Sequence, residues 1–316
     1  MTKPGVLKVA GWERYPWLRA GFSTRQGGGS AAYADDGPGE QNLGWTKEDS
    51  AEVVAENRRR FVRTVWGAGG QPELVTVRQF HSGMVRVVGD PESEPGSEAP
   101  EPGHPEWSTP EGKAVLRGDG LMTGLPGLLI GVQTADCVPV LLVDTKTRTV
   151  AAFHAGWRGT LARIVERGVG TMRLEFGSQP KNLIAAIGPA VGACCYSVGE
   201  EVRHEFESQF AYAPELFSEV YDSDPVRDKY PMLFLTARAP GHSNIGPQIH
   251  LDLHEANRRQ LLDAGVRAKA ITVVGECTAC ARLRDGRRKY FSHRAEHGFT
   301  GRMLSAIGVV HGTRKS

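Results

Sequence analysis

The chain has 316 residues, with 38 lysines and arginines against 36 aspartates and glutamates, so its formal net charge is only +2. This near balance lacks the basic footprint of a nucleic-acid-binding protein, and no apolar run reaches the roughly 18 residues that span a bilayer. The N-terminus lacks the apolar core of a signal peptide, and the odd count of five cysteines argues against a disulfide framework. We therefore expect a soluble cytoplasmic protein with free thiols and with no nucleic-acid or membrane partner.

The first part of the chain alternates between strand and helix patterns. We predict a strand followed by a glycine-rich turn over residues 15–30, and a helix over residues 47–66. Two short strands, Leu74–Val77 and Met84–Val88, are expected on either side of His81. Residues 89–118 are dominated by proline, glutamate, glycine and serine, which predicts a flexible surface insertion.

The remaining chain contains apolar runs that read as buried strands, separated by helical patterns. The predicted strands are Gly127–Thr134, Val138–Val143, Val150–His154, Leu183–Ile187 and Ile271–Val274. The predicted helices are Ala155–Phe176, 199–213, Leu251–Ala264 and a last helix that begins near Thr300–Arg302. This order is too irregular for a doubly wound sheet, so we expect an α+β fold with helices flanking a mixed sheet, in a single domain over residues 1–316.

Two histidines and one cysteine lie at predicted strand ends and turns. Cys137 precedes one strand of a predicted hairpin and His154 ends the other, which should bring them together, while His81 follows a separate strand. Two imidazoles and a thiolate can hold a catalytic zinc with one coordination position open. The same residues could instead form a nucleophilic cysteine with a histidine base, and the residues alone leave both interpretations open.

Four polar residues are candidates for substrate binding. Arg25 lies in the glycine-rich turn, where a guanidinium and backbone N–H groups could hold a phosphate. Arg158 lies four residues after His154, and Arg302 lies at the start of the last predicted helix, where an anion could bind. Gln79 should point to the same side of a strand as His81 and could bind substrate or orient that ligand. Ordinary turn or surface roles are open alternatives for all four.

The other cysteines give weaker patterns. Cys194 and Cys195 are adjacent, which disfavours a disulfide between them and suggests a packing role. Cys277 and Cys280 form a Cys-x-x-Cys motif, but the chain has no second copy of that motif, so it is a weak indication of a structural zinc.

An ordered set of short motifs occurs along the chain, in the segments 21–25, 42–44, 55–58, 77–83, 118–123, 134–140, 153–159, 187–189, 194–199, 251–253, 277–280 and 300–303. Together they resemble the YfiH/LACC1 family, first described as multicopper polyphenol oxidases or laccase-like proteins. The resemblance extends from about Gly21 to about Gly308, and it departs from the family pattern in the insertion, at Gly120 and at His293.

The resemblance implies a fold, a metal site and an activity. His81, Cys137 and His154 would be zinc ligands, and the enzyme would cleave purine nucleosides (adenosine, inosine, methylthioadenosine) with phosphate and also deaminate adenosine. The zinc-deaminase signature His-x-Glu with Pro-Cys-x-x-Cys is missing, so the proton-transferring group is unidentified. A copper-dependent phenol oxidase, a cysteine-dependent amide hydrolase and an inactive zinc-stabilised module are the alternatives.

Overall fold

The computed structural model describes residues 3–34, 39–68, 70, 72–89, 107–109, 112–220 and 248–310. The helices in these ranges are α1 (Ala51–Trp66), α2 (Trp157–Leu161), α3 (Ile164–Phe176), α4 (Glu200–Gln209) and α5 (Leu253–Asp263). The strands are β1 (Val6–Leu7), β2 (Leu18–Ser23), β3 (Gln26–Ser30), β4 (Glu73–Thr76), β5 (Val85–Val87), β6 (Gly120–Thr123), β7 (Leu128–Thr134), β8 (Val138–Asp144), β9 (Val150–Ala155), β10 (Leu183–Ile187), β11 (Ser197–Val198), β12 (Phe217–Val220), β13 (Gln248–Leu251), β14 (Ile271–Val273) and β15 (Met303–Val309).

Most strands belong to two mixed sheets. The first has the order β1-β2-β15-β7-β4, and the second has the order β14-β10-β8-β9-β6-β5. A small antiparallel sheet has the order β11-β13-β12. The α+β fold with mixed sheet and flanking helices is therefore confirmed, with the strands divided among three sheets.

Side chains alternate between two cores along the central strands. In β8, Val138, Val140 and Leu142 join a core with α3, α4 and α5, whereas Leu141 and Val143 join a core between the two large sheets. In β15, Leu304 and Ala306 instead pack against α1 on the outer face of the first sheet. Helix, sheet, sheet and helix thus form successive layers. Both faces of the central strands are buried, which explains why their sequences are continuously apolar.

The predicted last helix is wrong, because residues 303–309 form β15 in the middle of the first sheet. This strand pairs antiparallel with both β2 and β7, and every residue in it is buried. Its sequence, MLSAIGV, lacks the polar alternation of a half-exposed strand, so periodicity alone does not separate it from a buried helix.

Other predicted boundaries needed smaller changes. Residues 26–30 are strand β3 and not a turn, and the predicted helix 155–176 is divided into α2 and α3 at Arg163, which has a φ of 55°. Leu251 ends β13, so α5 begins at Leu253, where the Asp252 side chain accepts a hydrogen bond from the Glu255 backbone N–H.

The predicted insertion at 89–118 is described only at its ends. Residues 90–106, 110 and 111 lie outside the described residues. Trp107 is partly buried against the core between the two sheets, and Trp45 donates a hydrogen bond to the Gly112 carbonyl. These contacts place the C-terminal end of the segment against the rest of the protein, so the prediction of a flexible insertion now concerns only residues 90–106.

No helix within the described ranges has both the length and the hydrophobicity needed to cross a bilayer.

Candidate functional site

Three potential metal ligands meet at one end of the central strands of the second sheet. The β8–β9 hairpin pairs Val138 with Ala155 and Pro139 with His154, which brings Cys137 beside His154 as the hairpin pattern predicts. His81 approaches from the loop before β5, and its ring centroid lies 4.9 Å from that of His154. The ligand atoms of His81, Cys137 and His154 all lie within 4.8 Å of one another.

The backbone around this group has uncommon conformations. His81 and Asp136 both have positive φ values, of 63° and 90°, which non-glycine residues rarely adopt. Position 156 needs a glycine, because a Cβ on Gly156 would lie 2.9 Å from Cys137 Sγ and 3.2 Å from His81 Cδ2. Local strain and close packing of this kind cluster at functional sites, where the surrounding structure holds them in place.

Asp119 links the two histidines. This fully buried residue precedes β6, and its Oδ1 lies 2.8 Å from His154 Nδ1 and accepts a 3.0 Å hydrogen bond from the His81 backbone N–H. Its Oδ2 accepts hydrogen bonds from the backbone N–H and the hydroxyl of Ser82, at 2.6 and 2.7 Å. One carboxylate therefore orients the His154 ring and holds the His81 loop, as expected for a group that positions metal ligands.

The charges of Cys137 and His154 stabilise each other. Burial opposes ionisation of the Cys137 thiol, but the neighbouring His154 and a hydrogen bond with His81 lower its pKa to about 6. Burial also disfavours the His154 imidazolium, but the Cys137 thiolate and Asp119 raise its pKa to about 9. In the absence of metal, the pair is therefore a thiolate beside an imidazolium at neutral pH.

Asp136 has a structural role next to this group. Its Oδ1 accepts a 2.6 Å hydrogen bond from the Thr278 hydroxyl, and its Oδ2 accepts one of 2.6 Å from the Arg294 backbone N–H. The turn before β8 is thereby tied to residues 276–296, a segment distant in sequence.

The three potential ligands face a cavity of about 930 Å³, within the range of small-molecule sites. Among the described residues, its lining carries four cationic side chains but only one carboxylate, that of Asp136, which is already hydrogen-bonded. The polar and aromatic lining residues outside the potential ligand group are Trp45, Arg78, Gln79, Thr109, Lys113, Gln133, Thr134, Asp136, Tyr196, His293, Arg294 and Arg302.

Only some of the predicted substrate-binding residues line the cavity. Gln79 and Arg302 line the cavity. However, both ends of the Gln79 amide bond to the backbone of Gln133, at 2.7 and 2.8 Å, so this side chain fixes its own loop. Arg302 precedes a strand and not a helix, and its Nη1 donates to the carbonyls of Thr300 and Gly301. Arg158 lies outside the cavity lining and stacks on Trp157, 4.1 Å from the ring centroid.

Arg25 differs most from its expected role. It is 3% exposed, and its Nε lies 3.1 Å from Glu40 Oε2 while Nη1 lies 2.5 Å from Glu296 Oε1. Nη2 donates to the Tyr33 carbonyl. Two carboxylates and a carbonyl therefore already occupy this guanidinium, and Arg25 is not part of the cavity lining.

Sequence reasoning missed Tyr196 and Arg294, which both line the cavity. Burial first, and then the nearby Cys137 charge, raise the pKa of the Tyr196 phenol to about 12, so it remains a hydrogen-bond donor at neutral pH. Tyr196 belongs to the motif 194–199, but the adjacent cysteines are the residues that this pattern makes conspicuous. Nothing in the local sequence of Arg294 distinguishes it from an exposed loop arginine.

Comparison with known proteins gives consistent results. Residues 19–310 match the family model described as multi-copper polyphenol oxidoreductase laccase. The chain is 34% identical over 290 residues to the purine nucleoside phosphorylase YlmD of Geobacillus stearothermophilus, covering 92% of this chain and 89% of that protein. It is 32% identical over 236 residues to adenosine deaminase RL5 from an unidentified prokaryote, covering 74% of each.

A solved structure supports the same relationship. The crystal structure of the Bacillus licheniformis protein YfiH superposes with a TM-score of 0.74 at 27% identity, covering 97% of both chains. Sequence and fold therefore agree over nearly the whole length, and the curated relatives are named as enzymes. The chain belongs to the multi-copper polyphenol oxidoreductase laccase family, which includes the YfiH proteins, and it is an enzyme.

Proposed function

We propose that this protein is a zinc-dependent purine nucleoside phosphorylase that acts on adenosine, inosine and methylthioadenosine and also deaminates adenosine. The observation that carries this proposal is the convergence of His81, Cys137 and His154 on a cavity lined by cationic side chains. The names of the relatives support both activities. A cytoplasmic location stays a prediction.

The donor atoms fit a zinc ion. One thiolate and two imidazoles are typical zinc ligands, and three protein ligands leave a position open. His154 Nδ1 is held by Asp119, so Nε2 is the nitrogen that remains for a metal. When bound, zinc would supply a Lewis acid for activating water or a substrate atom. Copper is the alternative metal, since imidazole and thiolate also suit it.

The cavity lining provides groups for both substrates. Arg78, Lys113, Arg294 and Arg302 would bind inorganic phosphate, because a cavity with an excess of cations favours an anion. The phenol of Tyr196 would donate a hydrogen bond to the purine, since it stays protonated at neutral pH. These roles replace the phosphate-binding role that we expected for Arg25.

The test combines metal analysis with chromatography of the reaction products. With adenosine and phosphate, we expect adenine and ribose 1-phosphate, whereas inosine should form with or without phosphate. His81→Ala should lose the metal bound by His81, Cys137 and His154, and with it both activities. His204→Ala changes an exposed histidine of α4 and should retain them. Nucleoside turnover that survives complete removal of metal would contradict the proposal.

A cysteine-dependent amide hydrolase is the second candidate. Its support is the Cys137–His154–Asp119 arrangement, in which a histidine lowers the pKa of a thiol and a carboxylate orients the histidine. Cys137→Asp distinguishes the two, because a carboxylate can bind zinc but cannot form a thioester. Zinc-bound Cys137→Asp with residual nucleoside turnover would support the metal enzyme. A covalent adduct on Cys137 of the wild type, seen by intact-mass spectrometry, would support the hydrolase.

A copper-dependent phenol oxidase fits the description of the family model but is less consistent with the site. Phenol oxidation by copper usually requires electron transfer through several copper centres. The described residues contain one mixed histidine–cysteine group and one group of cysteines alone as potential metal ligands. Phenol oxidation by the copper-loaded protein at a rate above that of nucleoside cleavage would favour this alternative.

A further inference from the structure

The four cysteines outside the candidate site also lie together. The sulfur atoms of Cys194, Cys195, Cys277 and Cys280 are all within 4.8 Å of one another. They come from two segments more than 80 residues apart in sequence, since Cys194 and Cys280 are separated by 86 positions. The Cys-x-x-Cys motif that was isolated in the sequence therefore has a second cysteine pair beside it.

The second sheet explains why the two segments meet. Strands β10 and β14 are parallel neighbours, so the chain leaves both of them at the same end of the sheet. The pairing continues beyond them, because Ala190 forms a parallel bridge with Cys277 and the Thr278 N–H donates to the Ala190 carbonyl at 2.9 Å. Cys194 and Cys195 lie in a turn in which the Cys195 N–H bonds to the Gly192 carbonyl at 2.9 Å.

The sulfur spacing fits a single metal ion and not a disulfide. Cys194 Sγ and Cys280 Sγ are 3.7 Å apart, whereas a disulfide bond is about 2.04 Å long. A zinc–sulfur distance of about 2.3 Å in a tetrahedron gives sulfur–sulfur distances of about 3.8 Å. A group of four sulfurs within 4.8 Å of one another has room for one ion at its centre.

Backbone donors surround the most buried of these sulfurs. Gly192 N–H donates to Cys277 Sγ at 3.3 Å. The backbone N–H groups of Ala279 and Cys280 also donate to this sulfur. A Cys-x-x-Cys turn that aims its own N–H groups at its first sulfur is arranged to hold a thiolate.

Cationic side chains lie against the same turn. The guanidinium groups of Arg282 and Arg288 both donate to the Ala279 carbonyl, at 3.3 and 3.2 Å. Four thiolates with one divalent cation carry a net charge of −2, which nearby guanidinium groups stabilise.

We propose that Cys194, Cys195, Cys277 and Cys280 bind a second zinc ion in a closed tetrathiolate site. Four protein ligands leave no open position, so this zinc is structural, and thiol protons are released to solvent when it binds. It joins two segments that line the catalytic cavity. Tyr196 follows Cys195 directly, and Arg294 bonds through its guanidinium to Ser197 and through its backbone to Asp136. The second zinc thereby fixes one wall of the cavity.

Metal content of the reduced full-length protein tests this directly. The wild type should bind two equivalents of zinc after dialysis against a weak chelator. Cys280→Ser should retain one, and His81→Ala should also retain one, because each variant removes a different site. The combination should bind none. The proposal would be overturned if the wild type binds only one equivalent of zinc, and if this zinc is lost in His81→Ala but kept in Cys280→Ser. If the wild type binds one equivalent of zinc and loses it only in Cys280→Ser, the tetrathiolate site is supported and the proposed catalytic metal site is contradicted.

A second measurement avoids the risk that a cysteine variant fails to fold. Cobalt added to reduced His81→Ala should produce sulfur-to-cobalt charge-transfer absorption and the intense visible bands of a tetrahedral tetrathiolate. The cobalt-bound or zinc-bound form should have a higher melting temperature than the same protein with chelator. Absence of these bands, or detection of a Cys194–Cys280 disulfide in protein kept under reducing conditions, would overturn the proposal.

Discussion

Asp119 is the residue on which the geometry of the candidate catalytic centre depends most. Its carboxylate accepts hydrogen bonds from three consecutive backbone N–H groups, those of Phe80, His81 and Ser82, and contacts the His154 ring. Burial raises the pKa of Asp119, but the hydrogen bonds with His154 and Ser82 and the charge of His154 lower it to about 2. The group is therefore charged over the whole range in which the protein would function.

Asp119→Asn should weaken metal binding about 10–100-fold, because an amide cannot accept the full set of hydrogen bonds that orient both histidines. Isothermal titration with zinc would measure the change. Asp144→Asn is the matched control, since Asp144 is equally buried but accepts hydrogen bonds in the β8–β9 turn, from Lys146 and Thr147. Equal losses of zinc affinity in both variants would contradict a positioning role for Asp119.

The charges at Cys137 and His154 predict how metal affinity depends on pH. His154 carries a proton below its raised pKa of about 9, and a metal must displace that proton. Between the lowered Cys137 pKa of about 6 and the His154 pKa of about 9, affinity should therefore rise with pH. The expected rise is about tenfold per pH unit for one released proton. Below the Cys137 pKa the dependence should become steeper. Titrations in buffers with different ionisation enthalpies measure the proton release, and an affinity that is constant from pH 7 to 9 would contradict this assignment.

Arg25 should contribute to stability and not to phosphate binding. Arg25→Ala leaves the largely buried carboxylate of Glu40 and the partly buried one of Glu296 without this cation, so we expect a loss of about 3 kcal/mol in the free energy of unfolding. The phosphate KM of the folded protein should not change. Arg203→Ala removes a more exposed arginine that pairs with Glu207, so it should lower the free energy of unfolding much less than Arg25→Ala. A stable Arg25→Ala with a raised phosphate KM would restore the phosphate-binding role.

At the scale of single elements, the junction between β9 and α2 shows how closely the backbone approaches the site. Gly156 has a φ of −71°, so alanine is allowed there conformationally, and only its Cβ would collide with Cys137 and His81. Gly156→Ala should therefore weaken zinc binding, while its melting temperature should stay close to that of the wild type. Gly170→Ala, in α3, meets no atom within 4 Å and should stabilise the helix slightly without changing the zinc affinity. Equal zinc affinities of Gly156→Ala and wild type would show that the ligands move freely.

Elements with strong local patterns could be predicted from sequence, whereas β15 could not. The β8–β9 hairpin has a polar turn between two apolar strands, and both its existence and the proximity of Cys137 to His154 were predicted. For β15, burial on both faces removes the alternation that identifies a strand. Only its pairing with β2 and β7 decides its structure, and those partners lie far away in the sequence.

At the scale of the whole molecule, the single domain stays a prediction. The flexible insertion is also a prediction, and it can be tested by replacing residues 90–106. Residues 90–106 contain few apolar side chains, so ordering them offers little burial against the entropy cost. Replacement by a short Gly/Ser linker should change the melting temperature by only a few degrees. Trp107→Ala should lower it more, because Trp107 packs against the core between the sheets. Insoluble expression of the linker variant but not of Trp107→Ala would refute this prediction.

The sequence by itself determined the α+β class, the family, and the proximity of Cys137 to His154, because one hairpin defines that pair locally. The place of His81 beside them was implied only by the family resemblance. Tertiary structure alone decided that Glu40 and Glu296 bind Arg25, that Tyr196 and Arg294 line the cavity, and that four cysteines meet. Each of these contacts joins segments that are remote in sequence. The physical reason is that short-range propensities specify individual strands and turns, whereas the pairing of strands across a sheet sets which of their ends become neighbours.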